Sequence, residues 1–204
     1  MTKKEVRKIN FEVYNSKTKE LIEKFDKIWP RTFDIDNTFN LYWKNKDINI
    51  LEIGCFSWRE YTYIRNFTKN YTGIDISKEA IEQAKNTFPD WKFMVWDIEE
   101  FEFQQKYDII FAFASLIHSD KETTTKLFEK FHNILSSEGL LYVSLKASNF
   151  YQEIKKTDEF WTRIYYHYHI NEYKDFAGTN FKVIYEDTQF LNNQNWFTLC
   201  FKKI

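Results

Sequence analysis

The segment from residue 48 to residue 60 constrains the fold more than any other part of this 204-residue chain. Residues 48–53 are almost continuously apolar, which is typical of a strand buried on both faces of a parallel sheet. Gly54 follows at once, and helical spacing begins near Trp58. The segment is therefore predicted to form a strand, a tight turn and the start of a helix, which is where open α/β sheets hold a nucleotide-like ligand.

The same alternation of strand and helix continues along the chain. Helices are predicted over 58–68 and over 78–88, with Ser77 capping the second. A third helix is predicted to begin at Ser119, which has capping-box spacing to Glu122, and to stop at Gly139. The predicted strands are 71–75, 91–97, 107–113 and 140–146. Strands joined by helices form a parallel sheet with right-handed crossovers. Residues 181–186 and 196–201 flank a short polar loop, which predicts an antiparallel hairpin on the sheet edge. The fold class is therefore α/β, with a mostly parallel sheet and a C-terminal antiparallel hairpin.

The N-terminal part precedes this core within a single domain. Residues 5–29 are predicted to form a helix, and residues 31–47 an irregular connection to the first strand. Residues 1–47 then form a helical cap and residues 48–204 the core. Two interpretations of the helix remain open: it covers the sheet, or it is a lid over a ligand with Tyr14 directed at that ligand. An aromatic, polar segment is expected over residues 160–169, followed by a short helix.

Composition limits the classes of function. The chain has 29 Lys and Arg against 30 Asp and Glu, for a net charge of −1, so no basic field favours nucleic acid as a partner. No apolar run approaches the roughly 20 residues of a membrane span, and the expected location is cytoplasmic. Two cysteines are too few for a disulfide framework or a zinc site, and no metal is expected. The oligomeric state cannot be read from the sequence.

Acidic residues stand at the ends of three successive predicted strands. They are Glu52, Asp75 and Asp97. Asp75 lies 21 residues after Gly54. In nucleotide-binding units a carboxylate that meets ribose hydroxyls stands ~20 residues after the glycine turn. A carboxylate suits a diol because it accepts a hydrogen bond from each hydroxyl. Each acid on its own is equally compatible with a helix cap or a solvated turn, whereas the series favours a ligand site.

At this level of detail the chain resembles the class I S-adenosylmethionine-dependent methyltransferases that act on small molecules. Residues 51–55, 73–77, 96–98 and 107–118 match four successive motifs of that family, within a resemblance that covers about residues 45–204. The resemblance implies a Rossmann-like, seven-stranded sheet with helices on both faces. It also implies S-adenosylmethionine as the cofactor and a small-molecule methyl acceptor as the partner, with neither nucleic acid nor membrane involved.

The resemblance also assigns residues to the cofactor. Asp75 is expected to hold the ribose, and Asp97 the adenine amine while Ile98 packs on the ring. The complete set expected at the cofactor is Tyr14, Glu52, Gly54, Cys55, Phe56, Asp75, Ile76, Asp97, Ile98, Phe113 and Ala114. Cys55 stands where the family often has cysteine and is not expected to be a nucleophile.

The turn after Gly54 departs from the family pattern, because Phe56 and Trp58 stand where further glycines are usual. A non-glycine residue in a left-handed conformation costs about 1–2 kcal/mol. Three outcomes are open: a different turn path that admits the cofactor, aromatic rings that seal the cleft, or a blocked pocket.

The expected reaction is direct displacement of the methyl group onto the acceptor, in which alignment supplies most of the catalysis. His118 is the candidate general base, and its alternative is a polar residue at a loop–helix junction. Residues 165–169 are expected to form either an acceptor pocket for a flat or cationic substrate or an aromatic edge over the core. His167 and His169 alone do not make a metal site.

Two other functions compete with this enzyme. One is a catalytically inactive methyltransferase-fold protein that acts in cofactor sensing or protein interaction. The other is a nicotinamide-dependent dehydrogenase, which the altered turn, the terminal hairpin and the lack of a substrate domain disfavour.

Overall fold

The computed structural model describes residues 1–28, 30–42, 47–100, 102–103, 105–157, 161–191 and 193–204. Its strands are β1 (Asn49–Ile53), β2 (Asn70–Asp75), β3 (Lys92–Val95), β4 (Tyr107–Phe113), β5 (Leu135–Lys146), β6 (Gln152–Thr157), β7 (Thr162–His167), β8 (Phe181–Leu191) and β9 (Gln194–Lys203). Seven of them form one sheet in the order β3-β2-β1-β4-β5-β9-β8. Strands β1 to β5 are parallel, while β9 pairs antiparallel with β5 and β8 with β9. The predicted mostly parallel sheet and its terminal hairpin are confirmed.

Helices cover both faces of this sheet. They are α1 (Lys3–Ser16), α2 (Thr18–Phe25), α3 (Thr32–Leu41), α4 (Tyr61–Ile64), α5 (Lys78–Thr87), α6 (Lys121–Ile134) and α7 (Ile170–Asp175). Strand residues alternate between two apolar clusters, as the two-residue period of a strand requires. Leu51 packs with residues of α1, α6 and α7 on one face, and Ile50 packs with residues of α3, α4 and α5 on the other.

Strands β6 and β7 form a separate antiparallel hairpin, inserted between β5 and α7. Residues 160–169 were expected to be an aromatic, polar segment. Residues 162–167 instead form a strand that pairs with residues 152–157. Residue 160 lies outside the described residues. The burial of this strand explains the error, because β7 is buried from residue 163 to residue 167 and so lacks the alternation of buried and exposed positions that identifies a half-buried strand.

The N-terminal helix prediction is wrong in two respects. The segment 5–29 is two helices, with a break at Lys17 (φ −122°, ψ 25°); its predicted end at Trp29 lies outside the described residues. The expected irregular connection over 31–47 contains α3. Its acidic residues have partners on other elements: Tyr142 Oη donates to Asp34 at 2.9 Å and Tyr63 Oη donates to Asp36 at 2.9 Å.

Helix ends also differ from prediction. Asp120, and not Ser119, caps α6, because its carboxylate accepts from Thr123 N at 2.8 Å. Gly139 does not end that helix but lies inside β5, beside Glu138 (φ 61°), where β5 shifts register against β4. The helix predicted over 58–68 is confined to α4, since the flanking backbone forms tighter turns. Helix α5, capped by Ser77, is as predicted.

Gly54, directly after β1, lies in close contact with the loop that follows β4. Its φ is +71°, and a Cβ added there would lie 2.4 Å from Ser115 Cβ. Gly178 offers a comparison, because its φ is +52° and an added Cβ would meet nothing within 4 Å.

We expect Gly54→Ala to cost more stability than Gly178→Ala. The second substitution adds only left-handed strain, about 1–2 kcal/mol, whereas the first adds an overlap that costs about another 1–3 kcal/mol. The free energy of unfolding in urea, measured for both variants, checks the difference. Equal losses would show that the loop after β4 yields freely.

Candidate functional site

The carboxyl ends of the parallel strands bring the predicted site residues to one edge of the sheet. Glu52 is the penultimate residue of β1, and Asp75 and Lys146 end β2 and β5. Asp97 follows β3, and His118 follows β4. In open α/β sheets the ligand crevice lies outside this edge.

The turn after β1 keeps left-handed conformations without further glycines. Phe56 has φ 29° and Trp58 has φ 53°. The backbone N–H groups of Gly54 and Cys55 both donate to Ile74 O, at 2.8 and 3.1 Å, which ties the turn to β2. Trp58 N donates to Cys55 O at 2.8 Å and closes it. Tertiary hydrogen bonds thus hold a conformation that the residue types disfavour.

The two aromatic residues of this turn point in different directions. The Phe56 ring is 7% exposed and lies edge-on to Tyr14 of α1 (5.9 Å) and Phe25 of α2 (5.7 Å). Trp58 contacts Phe88 at 6.2 Å and lines a cavity of about 300 Å³ beside the residues that follow α2. Of the two, Phe56 lies in the cleft under the N-terminal helices, and Trp58 lies outside it.

Asp75 is the most constrained acid of the site. It is 8% exposed, and its two oxygens accept from Phe56 N at 3.1 Å and Ser77 N at 2.8 Å. Burial raises its pKa to about 6, and the hydrogen bonds from the backbone of Ser77, Phe56 and Ile76 oppose that rise. A carboxylate has about four lone-pair sites, so these three donors leave about one for a further donor.

Asp97 lies under the first helix. Its carboxylate forms an ion pair with the guanidinium of Arg7, and Glu99 N donates to it at 2.9 Å. Lys3 pairs with Glu99 at 2.8 Å. Helix α1 is therefore bound through charges to the loop after β3, at the acid expected to meet the adenine.

His118 is held in one orientation by α1 and β7. Its Nδ1 lies 2.6 Å from Ile164 O, an acceptor, so Nδ1 carries the proton. Nε2 is then an acceptor and receives the Tyr14 hydroxyl at 2.9 Å. Burial, together with the charges of Arg163 and Lys146, lowers the pKa of His118 to about 4, and the hydrogen bond to Ile164 O opposes that fall. The imidazole is therefore neutral at neutral pH.

The same helix contacts the start of α5. Ser77 Oγ donates to Tyr14 O at 3.1 Å, and Lys78 N donates to Asn15 Oδ1 at 3.0 Å. One connected set of side chains therefore lies where α1 and α2 cover the sheet; it consists of Tyr14 of α1 with Phe56, Asp75 and His118.

Glu52 and Cys55 lie deeper than this set. Glu52 is 1% exposed and accepts from Tyr71 Oη at 2.6 Å, and burial raises its pKa well above the usual range. Burial likewise raises the pKa of the Cys55 thiol. A protonated thiol is a poor nucleophile, in agreement with the expectation for Cys55.

The other residues predicted to meet the cofactor lie at the margin of the set. Ile76 and Ile98 are half-buried. Phe113 stacks on Phe111 at 5.0 Å, toward the α3 face. Ala114 has φ 54° and donates its N–H to Ser144 O at 2.9 Å.

Sequence reasoning missed the polar residues that fix α1. Asn10 is buried, donates to Ile164 O at 3.0 Å and accepts from Ile164 N at 2.9 Å, as a neighbouring strand would. Its signal was available: Val6, Asn10 and Val13 share a helical face, and a polar residue within such a stripe needs a buried partner. Arg7 gave no comparable signal, because its acidic partners lie far along the chain.

Comparison with known proteins agrees with this geometry. A family model described as a methyltransferase domain matches residues 44–195. Malonyl-(acyl-carrier protein) O-methyltransferase 1 of Ilyobacter polytropus is 29% identical over 120 residues, which are 55% of this chain and 43% of that protein. Trans-aconitate 2-methyltransferase of Escherichia coli is 36% identical over 74 residues, 36% of this chain and 29% of that protein. The chain thus spans less than half the length of these two relatives.

A solved structure gives the same fold over a larger part of the chain. An S-adenosylmethionine-dependent methyltransferase from Clostridium acetobutylicum has a TM-score of 0.71 at 14% identity, covering 91% of this chain and 98% of its own. At that identity the likeness shows the fold alone. In the described part of the chain, every helix is too short or too polar to cross a membrane.

We expect His118 to stay neutral, with its proton on Nδ1, as the pH falls from 8 to 5. The reason is that burial lowers its pKa to about 4. Nitrogen-15 NMR of the imidazole distinguishes the two tautomers and follows the titration. A proton on Nε2 would contradict the hydrogen bond to Ile164 O, and protonation near pH 6.5 would contradict the burial of the ring.

Proposed function

Because this chain belongs to the methyltransferase domain family, whose cofactor is S-adenosylmethionine, we propose that it methylates a small-molecule acceptor by direct displacement. The cofactor supplies an electrophilic methyl group: the acceptor's lone pair bonds to the methyl carbon, and the electrons of the broken carbon–sulfur bond stay on sulfur. The protein's contribution is to bind, align and exclude water.

The observation that carries this proposal is the environment of Asp75. Its carboxylate is buried, and the hydrogen-bond partners found for it among the described residues are backbone N–H groups. A buried charge held in this way is costly, as the rise of its pKa to about 6 shows. The lone-pair site that remains suits a hydroxyl of a ribose. Asp75 is therefore assigned to the ribose, and the half-buried Ile76 and Ile98 to the adenine.

Helices α1 and α2 are assigned the role of a lid. They cover Asp75 through the ring of Phe56, and they contact the core both through hydrogen bonds and ion pairs at Asp97, His118 and Ser77 and through buried apolar side chains. The polar contacts exchange for water when the lid opens, and the apolar side chains that become exposed set the cost of opening. Opening the lid removes Arg7 from Asp97 and frees that acid for the adenine amine.

His118 is assigned the role of general base. Its imidazole is neutral, and its Nε2 lone pair is directed at Tyr14, a lid residue. When the lid moves, that lone pair faces the crevice and accepts the proton of an acceptor that must lose one. An acceptor that loses no proton needs only alignment.

A second function has its own observation. The Phe56 ring fills the cleft and Arg7 covers Asp97, which favours a methyltransferase-fold protein without catalysis that acts in cofactor sensing or protein interaction. The two functions differ in whether S-adenosylhomocysteine forms when an acceptor is supplied.

We expect Asp75→Ala to weaken binding of S-adenosylmethionine and S-adenosylhomocysteine by about 10-fold to 100-fold. Hydrogen bonds to a charged group contribute about 1.5–3 kcal/mol, which corresponds to that factor. Wild-type affinity should also fall as the pH falls through about 6, because protonation of Asp75 removes an acceptor. Isothermal titration calorimetry between pH 5 and 8 measures both effects.

Asp90→Ala is the matched control for that experiment. Asp90 is exposed and precedes β3, at the amino ends of the parallel strands. Its loss should therefore leave the affinity for both ligands unchanged. Absence of wild-type binding at millimolar ligand would exclude both the enzyme and the cofactor sensor.

We expect saturating S-adenosylhomocysteine to slow amide hydrogen exchange in α1 and α2 as well as in the turn after β1. A lid closes on its ligand, and closure protects the hydrogen bonds of the lid. Hydrogen–deuterium exchange with mass spectrometry measures this, with β8 at the far edge of the sheet as the internal control. Protection of the turn without protection of α1 would assign α1 a covering role only.

A further inference from the structure

The β6–β7 hairpin presents a cationic face. Across this antiparallel pair Lys156 lies opposite Arg163, Ile154 opposite Tyr165, and Gln152 opposite His167. Directly opposed side chains share a face, and so do alternate residues of one strand. One face of the hairpin therefore presents Lys156, Arg163, Tyr165 and His167 together.

This face is directed at the reaction end of the candidate site. The Tyr165 ring lies 5.0 Å from the His118 imidazole, between ring centroids. Lys146, at the end of β5, holds its Nζ 4.5 Å from the centre of the Tyr165 ring and 5.9 Å from that of Trp196. Arg163 lies over Tyr165 at 5.5 Å. The cations and the proposed base thus surround one aromatic ring.

The charges of this face repel one another. Lys156 and Arg163 are directly opposed cations, an arrangement that destabilises a strand pair. Burial, together with the charges of Lys156, Arg163 and Lys24, lowers the pKa of Lys146 to about 8. Among the described residues, no carboxylate forms an ion pair with Lys146 or Lys156. An anion placed between them would relieve this repulsion.

His167 supplies an independent observation. It is 7% exposed, and within the described residues its Nε2 has no hydrogen-bond partner. A buried polar atom left without a partner costs about 1–3 kcal/mol, so such atoms often face a ligand. Burial and the charges of Lys146 and Lys156 lower its pKa to about 4, which leaves a neutral ring with one N–H to donate.

We propose that Lys146, Lys156, Arg163 and His167, the cationic face, bind a carboxylate or phosphate group of the methyl acceptor beside His118. This inference rests on the proposed function, since it names the acceptor class of the same site. It also replaces the expectation of a cationic substrate in the pocket over residues 165–169: Lys146 already covers the rings on which such a substrate would stack.

The test compares two neighbouring lysines of β6. Lys156 belongs to the cationic face, whereas Lys155 lies opposite Ile164 and points to the other side of the hairpin. Both are exposed, so neither substitution threatens the fold, and both remove one charge. Malonate and inorganic phosphate are the anionic probes, and malonamide is the neutral one.

We expect calorimetry at low salt to show binding of malonate or phosphate, but not of malonamide. Lys156→Gln should weaken that binding about threefold to tenfold, and Lys155→Gln should not. The anion that binds with the higher affinity identifies the acceptor group as a carboxylate or a phosphate. Equal weakening in both variants, or no anion binding at millimolar concentration, would overturn the proposal.

Titration of the same samples with S-adenosylhomocysteine separates the two proposals. Cofactor binding without anion binding overturns the cationic face alone, and anion binding without cofactor binding overturns the methyltransferase alone. Formation of S-adenosylhomocysteine from S-adenosylmethionine should then be faster with a panel of small acids than with their amides. Preference for the amides would overturn the anionic acceptor class.

Discussion

The hydrogen bond from Phe56 N to the Asp75 carboxylate is the interaction on which the site depends. It joins a turn that has lost its glycines to the acid expected to hold the ribose. A left-handed phenylalanine costs about 1–2 kcal/mol, and its buried N–H would cost about as much again without an acceptor. Asp75 satisfies that N–H, and Phe56 in turn stabilises a carboxylate whose burial is unfavourable. The two residues therefore stabilise each other, which explains how a left-handed turn forms here without glycine at position 56.

The Phe56 ring extends this constraint to the N-terminus. It gives α1 and α2 an aromatic contact over the cleft, through Tyr14 and Phe25. Helix α1 is also attached to the core by polar contacts at Asp97, His118 and Ile164 and by Val6, which lies in the main apolar cluster. The lid motion that we propose therefore has to break polar contacts and to expose apolar surface.

The sheet was predictable from the sequence and the cover of the site was not. Strand burial and acids at strand ends follow local rules, so β1 to β5 and the positions of Glu52, Asp75 and Asp97 are visible in one pass along the chain. The orientation of Phe56, the Arg7–Asp97 ion pair and the fixed imidazole of His118 each depend on residues that are distant in sequence. Helix α3 escaped prediction for the same reason, because the partners of Asp34 and Asp36 lie on other elements.

The inserted hairpin couples the two halves of the proposed chemistry. Ile164 fixes the His118 imidazole through its carbonyl and binds Asn10 of α1 through both backbone groups, while the residues on either side of it, Arg163 and Tyr165, turn to the cationic face. Strand β7 therefore positions the proposed base through the backbone of Ile164 and the proposed acceptor through the side chains on either side of it. Because Arg163, Ile164 and Tyr165 are consecutive residues of β7, which pairs with β6, the cationic face and the Ile164 carbonyl belong to one element. Under the two proposals, acceptor binding and the orientation of the base are therefore linked through β7, and α1 is linked to both through Asn10.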